Sequence, residues 1–114
     1  MGWQVRFHRT DNEKCPTFDF IGSLSGEDQK RIRERLEMVE QHGPKYDEFS
    51  GQLTEVIWEL RFRIATGIVR LFYFYQPGYM IVITHGVCKK YQKIKQTDIR
   101  LATRYMNEYL ASRG

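Results

Sequence analysis

VIWELRFR (56–63), GIVRLFYF (67–74) and IVITHGVCKKYQK (81–93) are three runs of branched and aromatic residues that carry basic residues among them. In the first run Trp58, Leu60 and Phe62 alternate with charged or polar residues, as in a half-buried strand. Turn residues at 65–67 and 77–78 separate the runs, and such short connections join antiparallel strands. The third strand, expected over 79–87, is apolar on both faces like a central strand. The three runs therefore predict an antiparallel meander.

The rest of the chain supplies one more strand and the helices. Residues 3–8 alternate between apolar and polar side chains and predict a half-buried strand. The apolar segment 18–24 predicts one or two helical turns, and Ser25 is placed to cap a helix over about 26–41. Residues 44–54 have the composition of a polar connector, and Thr97 is placed to begin a last helix. We expect an α+β fold in a single domain over residues 1–114.

The composition is typical of a soluble globular protein in the cytoplasm. Hydrophobic residues make up 41% of the 114 residues and charged residues 28%, and the longest apolar run, 80–83, is far too short for a bilayer. Arg6 and Arg9 interrupt the N-terminus, so we expect no signal segment. In the cytosol Cys15 and Cys88 favour two reduced, partly buried thiols, with a disulfide as the less favoured alternative.

The positive charge lies in the second half of the chain. Residues 1–50 hold eight Lys and Arg against ten Asp and Glu, a net charge of −2. Residues 51–114 hold ten against four, a net charge of +6. This asymmetry suggests a basic face for nucleic acid, although an acidic protein partner would also fit.

Several kinds of site are poorly supported by the sequence. His8, His42 and His85 do not combine with the two cysteines in any spacing typical of zinc ligands. Glu59 has no second carboxylate beside it, which argues against a two-carboxylate hydrolase and against a metal-dependent nuclease. The glycines stand singly at turns and form no phosphate-binding loop. We expect no metal and no cofactor.

What remains is a set of basic residues on the strands. Arg61 and Arg70 lie on adjacent antiparallel strands and can share one sheet face, while a lysine cluster follows the third strand. Converging cations bind a phosphate and stabilise the charge that builds on a phosphorane. RNA cleavage then needs only a placed 2′-hydroxyl and proton transfer, for which His85, Tyr91 or a lysine with a lowered pKa are candidates. The candidate catalytic residues are Arg61, Arg70, His85, Lys89, Lys90 and Tyr91, and the candidate RNA-binding residues are Arg63, Lys93 and Lys95.

Each of these assignments has a purely structural alternative. Arg61 and Arg70 can instead pair with Glu59 and Glu55 across the strands. The lysines can form a solvated strand exit, and His85 can be a hydrogen-bonded core residue. The aromatic residues at 58, 72 and 74 are expected in the core rather than as base-stacking platforms.

The same residues carry a family resemblance. The chain resembles HigB-like, phage-derived toxins of the RelE/ParE superfamily of bacterial toxin–antitoxin systems. The resemblance covers roughly residues 53–110 and is carried, in this order, by segments 58–61, 70–74 and 85–93. The final helix, with Ile99, Ala102 and Tyr109, is similar to theirs. The resemblance implies a RelE-like fold: an N-terminal strand and two helices, then a three-stranded meander and a C-terminal helix.

The resemblance also implies a function. The implied function is cleavage of mRNA by a ribosome-dependent endonuclease. A small antitoxin, which often carries a helix-turn-helix DNA-binding domain, inhibits such an enzyme. By position, Arg61 and Arg70 match the strand arginines that contact phosphate, and the lysines of 89–93 match the family's lysine cluster. Tyr91 stands where many members carry threonine, and 87–88 also depart from the pattern. The partners implied are the antitoxin, the ribosome and mRNA, with no membrane.

A non-catalytic binding module is the competing interpretation. It is either a ParE-like gyrase inhibitor or an RNA- or protein-binding domain. ParE-like members lack a dense basic face, so the strand arginines and the lysine cluster favour the nuclease. The nuclease hypothesis predicts that Arg70→Ala abolishes growth inhibition while leaving the fold intact.

Overall fold

The computed structural model describes residues 2–46, 50–90 and 93–112, without the side chain of Tyr46, and confirms the α+β class. A five-stranded mixed sheet carries helices on both of its faces. The strands are β1 (Gln4–Phe7), β2 (Ser50–Gln52), β3 (Trp58–Ile64), β4 (Gly67–Gln76) and β5 (Met80–Lys89). The helices are α1 (Pro16–Gly22), α2 (Gly26–His42) and α3 (Gln96–Ser112), and a 3₁₀ turn spans Pro44–Tyr46.

The predicted meander forms the centre of the sheet. The strand order is β1-β5-β4-β3-β2; β1 runs parallel to β5 and every other pairing is antiparallel. The polar connector predicted over 44–54 was wrong in part, because Ser50–Gln52 pair with Trp58–Leu60 as an edge strand. β5 also extends two residues beyond the predicted end at Val87, so Lys89 belongs to the strand.

Local chemistry explains where the helices begin and end. Pro16 occupies the first turn of α1, where its missing amide hydrogen costs nothing. The Ser25 side chain accepts a hydrogen bond from the Asp28 amide and caps α2. At the other end of α2, Gly43 has φ +87° and lies so close to the Trp3 indole that a Cβ would clash with it.

The two faces of the sheet are buried by different helices. On one face Ile32, Leu36 and Val39 of α2 pack with Leu60 and Leu71, joined by apolar residues of α1. On the other face Ala102 and Tyr109 of α3 pack with Phe72, Phe74 and Val82. The expectation that positions 72 and 74 belong to the core is confirmed, and position 58 is half-buried against it. The α1/α2 side and the α3 side are therefore chemically distinct surfaces.

A β-bulge changes the side-chain alternation of β5. Tyr73 pairs with Ile83 but Phe72 pairs with His85, so Thr84 is an extra residue without an opposite partner. Ile81 and Ile83 therefore face α1 and α2, whereas His85 and Val87 beyond the bulge face α3. Gly86 is shifted to the α1 side. The bulge reverses the face on which each later residue of β5 lies.

Two further observations concern the membrane and the thiols. Within the described ranges, no helix combines the length and the apolar character needed to cross a membrane. Cys15 and Cys88 are free, half-buried thiols, as expected from the sequence.

Replacing Gly86 with alanine should destabilise the fold by about 1–3 kcal/mol, as overpacking of a core does. A Cβ at this position would lie 2.6 Å from the ring of Phe20 and 2.7 Å from Leu71. Gly51→Ala is the control, because no atom lies within 4 Å of its added Cβ. Urea unfolding measures both, and equal stability of the two variants would contradict the packing described.

Candidate functional site

Three rows of side chains cross the α3 side of the central strands. One row is Glu59, Phe72 and His85; the next is Arg61, Arg70 and Val87; the last is Arg63, Ile68 and Lys89. Opposed residues of neighbouring strands point to the same face. We call the four basic residues of these rows, Arg61, Arg63, Arg70 and Lys89, the cationic face.

Arg61 and Arg70 are direct cross-strand partners, which confirms that they share one face. Arg70 is only 1% exposed, and its Nη1 donates to Glu59 Oε1 at 2.5 Å. Two arginines placed opposite each other repel, and the buried carboxylate offsets that repulsion. The alternative that Arg70 pairs with a strand glutamate is therefore confirmed.

The other two strand arginines remain accessible. Arg61 is half-buried and Arg63 is exposed, and neither forms an ion pair with any residue in the described ranges. Glu55, the alternative partner named for these arginines, is exposed on the loop before β3. Arg61 and Arg63 therefore present guanidinium groups to solvent beside a neutralised Arg70–Glu59 pair.

Lys89 joins the end of β5 to the start of α3. Its Nζ lies 2.9 Å from Asp98 Oδ2, with the lysine side chain 26% exposed. Because this pair brings residues 89 and 98 together, the described residues between them, 90 and 93–95, lie near the same end of the sheet as Arg63 and Ile68. The exposed lysines among these residues are Lys90, Lys93 and Lys95. Tyr91, the remaining candidate, lies outside the described residues.

His85 is buried between the sheet and α3. Its ring stacks on Phe72 at 4.7 Å between centroids and meets the ring of Tyr105 edge-on at 5.9 Å. The Thr84 hydroxyl donates to the Phe72 carbonyl and lies 3.2 Å from His85 Nδ1. We assign the imidazole proton to Nδ1, since that hydroxyl then accepts from it. Nε2 is left as a buried lone pair with no hydrogen-bond partner among the residues described.

The environment of His85 keeps the ring neutral. Burial lowers the pKa of His85 from 6.5 to about 4, and the nearby charge of Asp98 only partly opposes that effect. The alternative of a hydrogen-bonded core histidine thus fits its position, while Nε2 retains the lone pair that a proton acceptor requires.

Metal ligation finds no support in this arrangement. Across 2–46, 50–90 and 93–112, no three His, Cys, Asp or Glu side chains are grouped so that they could hold an ion. The carboxylates nearest the cationic face, Glu59 and Asp98, each pair with a basic side chain instead.

Sequence reasoning missed two features of this site. The role of Asp98 as the partner of Lys89 was not foreseen, because the two residues lie on different elements and show no helical or strand spacing. Thr84 was missed because a bulge leaves no signal in an apolar run. The β-branched threonine inside that run was the one available clue.

Residues 19–107 match the family of phage-derived, Gp49-like proteins (DUF891). The match covers most of the chain, which therefore belongs to this family, one associated with RelE-like toxins. The matched range includes the whole cationic face and most of α3 but not β1. No curated protein is significantly similar to the chain.

Arg70→Ala should destabilise the protein by about 3–5 kcal/mol, because it leaves Glu59 buried without its countercharge. This expectation corrects the one drawn from the sequence, that the substitution would leave the fold intact. The double variant Glu59→Leu with Arg70→Met removes both charges and should recover most of that loss. Denaturant unfolding of the two variants measures the difference. A stable Arg70→Ala protein would show that the pair does not hold the strands together.

The low pKa of His85 makes stability depend on pH. In the unfolded state His85 binds a proton near pH 6.5, whereas in the folded state it does so only near pH 4. The contribution of neutral His85 to the free energy of unfolding is therefore fully present above pH 6.5. It should fall by up to about 3 kcal/mol as the pH decreases from 6.5 to 4. His85→Gln removes this contribution, and unfolding of both proteins across that range isolates it. Identical pH profiles would show that His85 is not buried in its neutral form.

Proposed function

We propose that this chain is the toxin of a type II toxin–antitoxin system and cleaves mRNA on the ribosome without a metal ion. A small antitoxin, the expected partner, would hold it inactive. The observation that carries the proposal is the pair of accessible guanidinium groups, Arg61 and Arg63, on a face shared with Lys89 and His85. Membership of a family associated with RelE-like toxins supports it.

The chemistry required is an in-line transfer at phosphorus. The ribose 2′-oxygen forms a bond to phosphorus and loses its proton, while the bond to the 5′-oxygen breaks and that oxygen gains a proton. The products are a 2′,3′-cyclic phosphate and a 5′-hydroxyl. The protein must align the attacking oxygen and stabilise the negative charge on the phosphorane.

The accessible arginines suit that charge. A guanidinium donates two parallel hydrogen bonds to two phosphate oxygens from one planar fork, a geometry that a lysine ammonium does not offer. Arg61 lies closer to the centre of the face than Arg63, so we assign it the scissile phosphate and assign Arg63 a neighbouring one. Arg70 acts as a positioning residue, because its buried pair with Glu59 fixes the two strands that carry the site.

The lysines extend the positive field beyond the sheet. Lys90, Lys93 and Lys95 are exposed and lie in sequence between Lys89 and Asp98, whose ion pair joins the end of β5 to the start of α3. Contacts from these side chains to flanking phosphates would release counterions and make binding weaken steeply with salt. They are assigned to RNA binding rather than to the chemical step.

His85 and Tyr91 are the candidates for proton transfer. The neutral imidazole carries a free Nε2 lone pair at physiological pH, the form that a base needs. A pKa of about 4 makes it a weak base, since the strongest catalysis comes from a pKa near the working pH. Because Nε2 is buried beneath Tyr105 of α3, a ribose 2′-hydroxyl reaches it only if Tyr105 moves aside, and proton transfer by His85 requires that movement.

Arg61→Ala should lower mRNA cleavage about a hundredfold, as expected for losing one group that stabilises the transition state. The measurement is a translation extract with a defined mRNA, in which the 5′ ends of the products are mapped. Lys30→Ala is the matched control, since Lys30 is an exposed cation on α2, on the opposite side of the sheet. Thermal unfolding of both variants confirms that each remains folded.

Other outcomes of that assay contradict the proposal. Full activity of Arg61→Ala would remove the phosphate role assigned to it. If wild-type protein left both mRNA and translation intact but overexpression stopped DNA replication with filamentation, the gyrase-inhibitor alternative would replace the nuclease.

A further inference from the structure

β1 forms an edge of the sheet whose outer hydrogen-bonding groups are open. The Gln4 amide donates to the Tyr79 carbonyl at 2.8 Å and the His8 amide to the Ile83 carbonyl at 2.9 Å. Along a strand, successive residues direct their backbone groups to alternate sides. Those of Val5 and Phe7 therefore point away from β5, and within the described part of the chain their amides find no acceptor.

Two cavities lined by apolar and charged side chains lie beside this edge on the α1/α2 side. One cavity of about 590 Å³ is lined by Val5, Phe7 and Phe18, and a second of about 240 Å³ by Phe7, Phe18 and Leu36 among others. The two cavities share Phe7 and Phe18 and therefore adjoin each other, and we call them together the cleft. Phe18 is 67% exposed, the most exposed large apolar side chain in the described ranges.

The rim of the cleft carries more positive than negative charge. Arg9 and Lys14 line the larger cavity together with Glu13 and Asp19, and Arg33 lines the smaller one. On the other face of β1, Arg6 is exposed. A strand added at this edge would place alternate side chains over the cleft, against Phe7 and Phe18, and beside Arg6.

A second copy of this chain is a poor occupant of the edge. Pairing two β1 strands would bring the Arg6 and Arg9 side chains of both copies close together, and like charges across strands are destabilising. A short strand that carries an arginine is also a common protection against self-association. The cations instead complement an acidic segment.

We propose that the β1 edge and its cleft bind an extended segment of a partner polypeptide, in which apolar and acidic residues alternate, by strand addition. Backbone hydrogen bonds to Val5 and Phe7 supply affinity, Phe18 and Phe7 receive the apolar side chains, and Arg6 pairs with an acidic one. β1 and Phe18 lie outside the family-matched residues 19–107, and the cleft lies on the opposite side of the sheet from the cationic face. The proposal is therefore independent of the nuclease.

The test uses isotope-labelled protein and a short peptide that alternates leucine with glutamate. Binding is followed by amide chemical shifts and hydrogen exchange at peptide concentrations up to about 1 mM, where weak complexes are still populated. We expect shifts and slowed exchange at Val5 and Phe7. Phe18→Ala should weaken binding about tenfold, as expected for losing a buried aromatic side chain, and Leu110→Ala on α3 should not.

Val5→Pro tests the backbone contact directly. It removes the outward amide hydrogen without removing a hydrogen bond to β5, and a melting temperature close to that of the wild type shows that the fold is kept. Loss of peptide binding in this folded variant is the expected result. The proposal is overturned if the peptide produces no shifts, if the shifts map to the cationic face, or if a leucine–lysine peptide binds equally well. Protection of Val5 and Phe7 that depends on protein concentration alone would identify a second copy as the occupant and would also overturn it.

Discussion

The extra residue at Thr84 determines which side chains can form a site at all. Strict alternation from Ile81 would direct His85 and Lys89 toward α1 and α2, away from Arg61 and Arg70. The bulge at Phe72/Tyr73 reverses this and brings all four onto the α3 side. The Thr84 hydroxyl stabilises the irregularity by hydrogen bonding to the Phe72 carbonyl. The bulge also directs Gly86 toward α1, where the absence of a Cβ lets Phe20 pack on the strand.

Ion pairing divides the basic residues of the cationic face into two kinds. Arg70 and Lys89 have carboxylate partners and serve the architecture, one between β3 and β4 and the other between β5 and α3. Arg61 and Arg63 lie beside them with no such partner in the described ranges and keep their full capacity for a phosphate. A buried ion pair contributes little net stability but is costly to break, so the site depends on Glu59 as much as on its arginines.

The sequence predicted the central sheet well because its information there is local. Alternation in 58–63 and the turn at Gly67 set the register that opposes Arg61 to Arg70. β2 was missed because Ser50–Gln52 is short and polar, and it pairs only because β3 offers an edge.

The pairing of Arg70 with Glu59 was foreseen as an alternative. The deep burial of Arg70 was not, since burial depends on how α3 and the loops cover the face. The parallel partner of β1 is likewise set by the whole fold and not by any local pattern.

We propose that RNA binds the α3 side of the sheet through its accessible arginines, Arg61 and Arg63. Amide chemical shifts of labelled protein, titrated with a single-stranded RNA whose 2′-hydroxyls are methylated, test it most directly, because that RNA lacks the nucleophile and stays intact. The structure predicts that shifts cluster at Arg61, Arg63 and Lys89 and diminish steeply as salt is raised. Shifts centred on the α1/α2 side, or binding that is insensitive to salt, would contradict the claim.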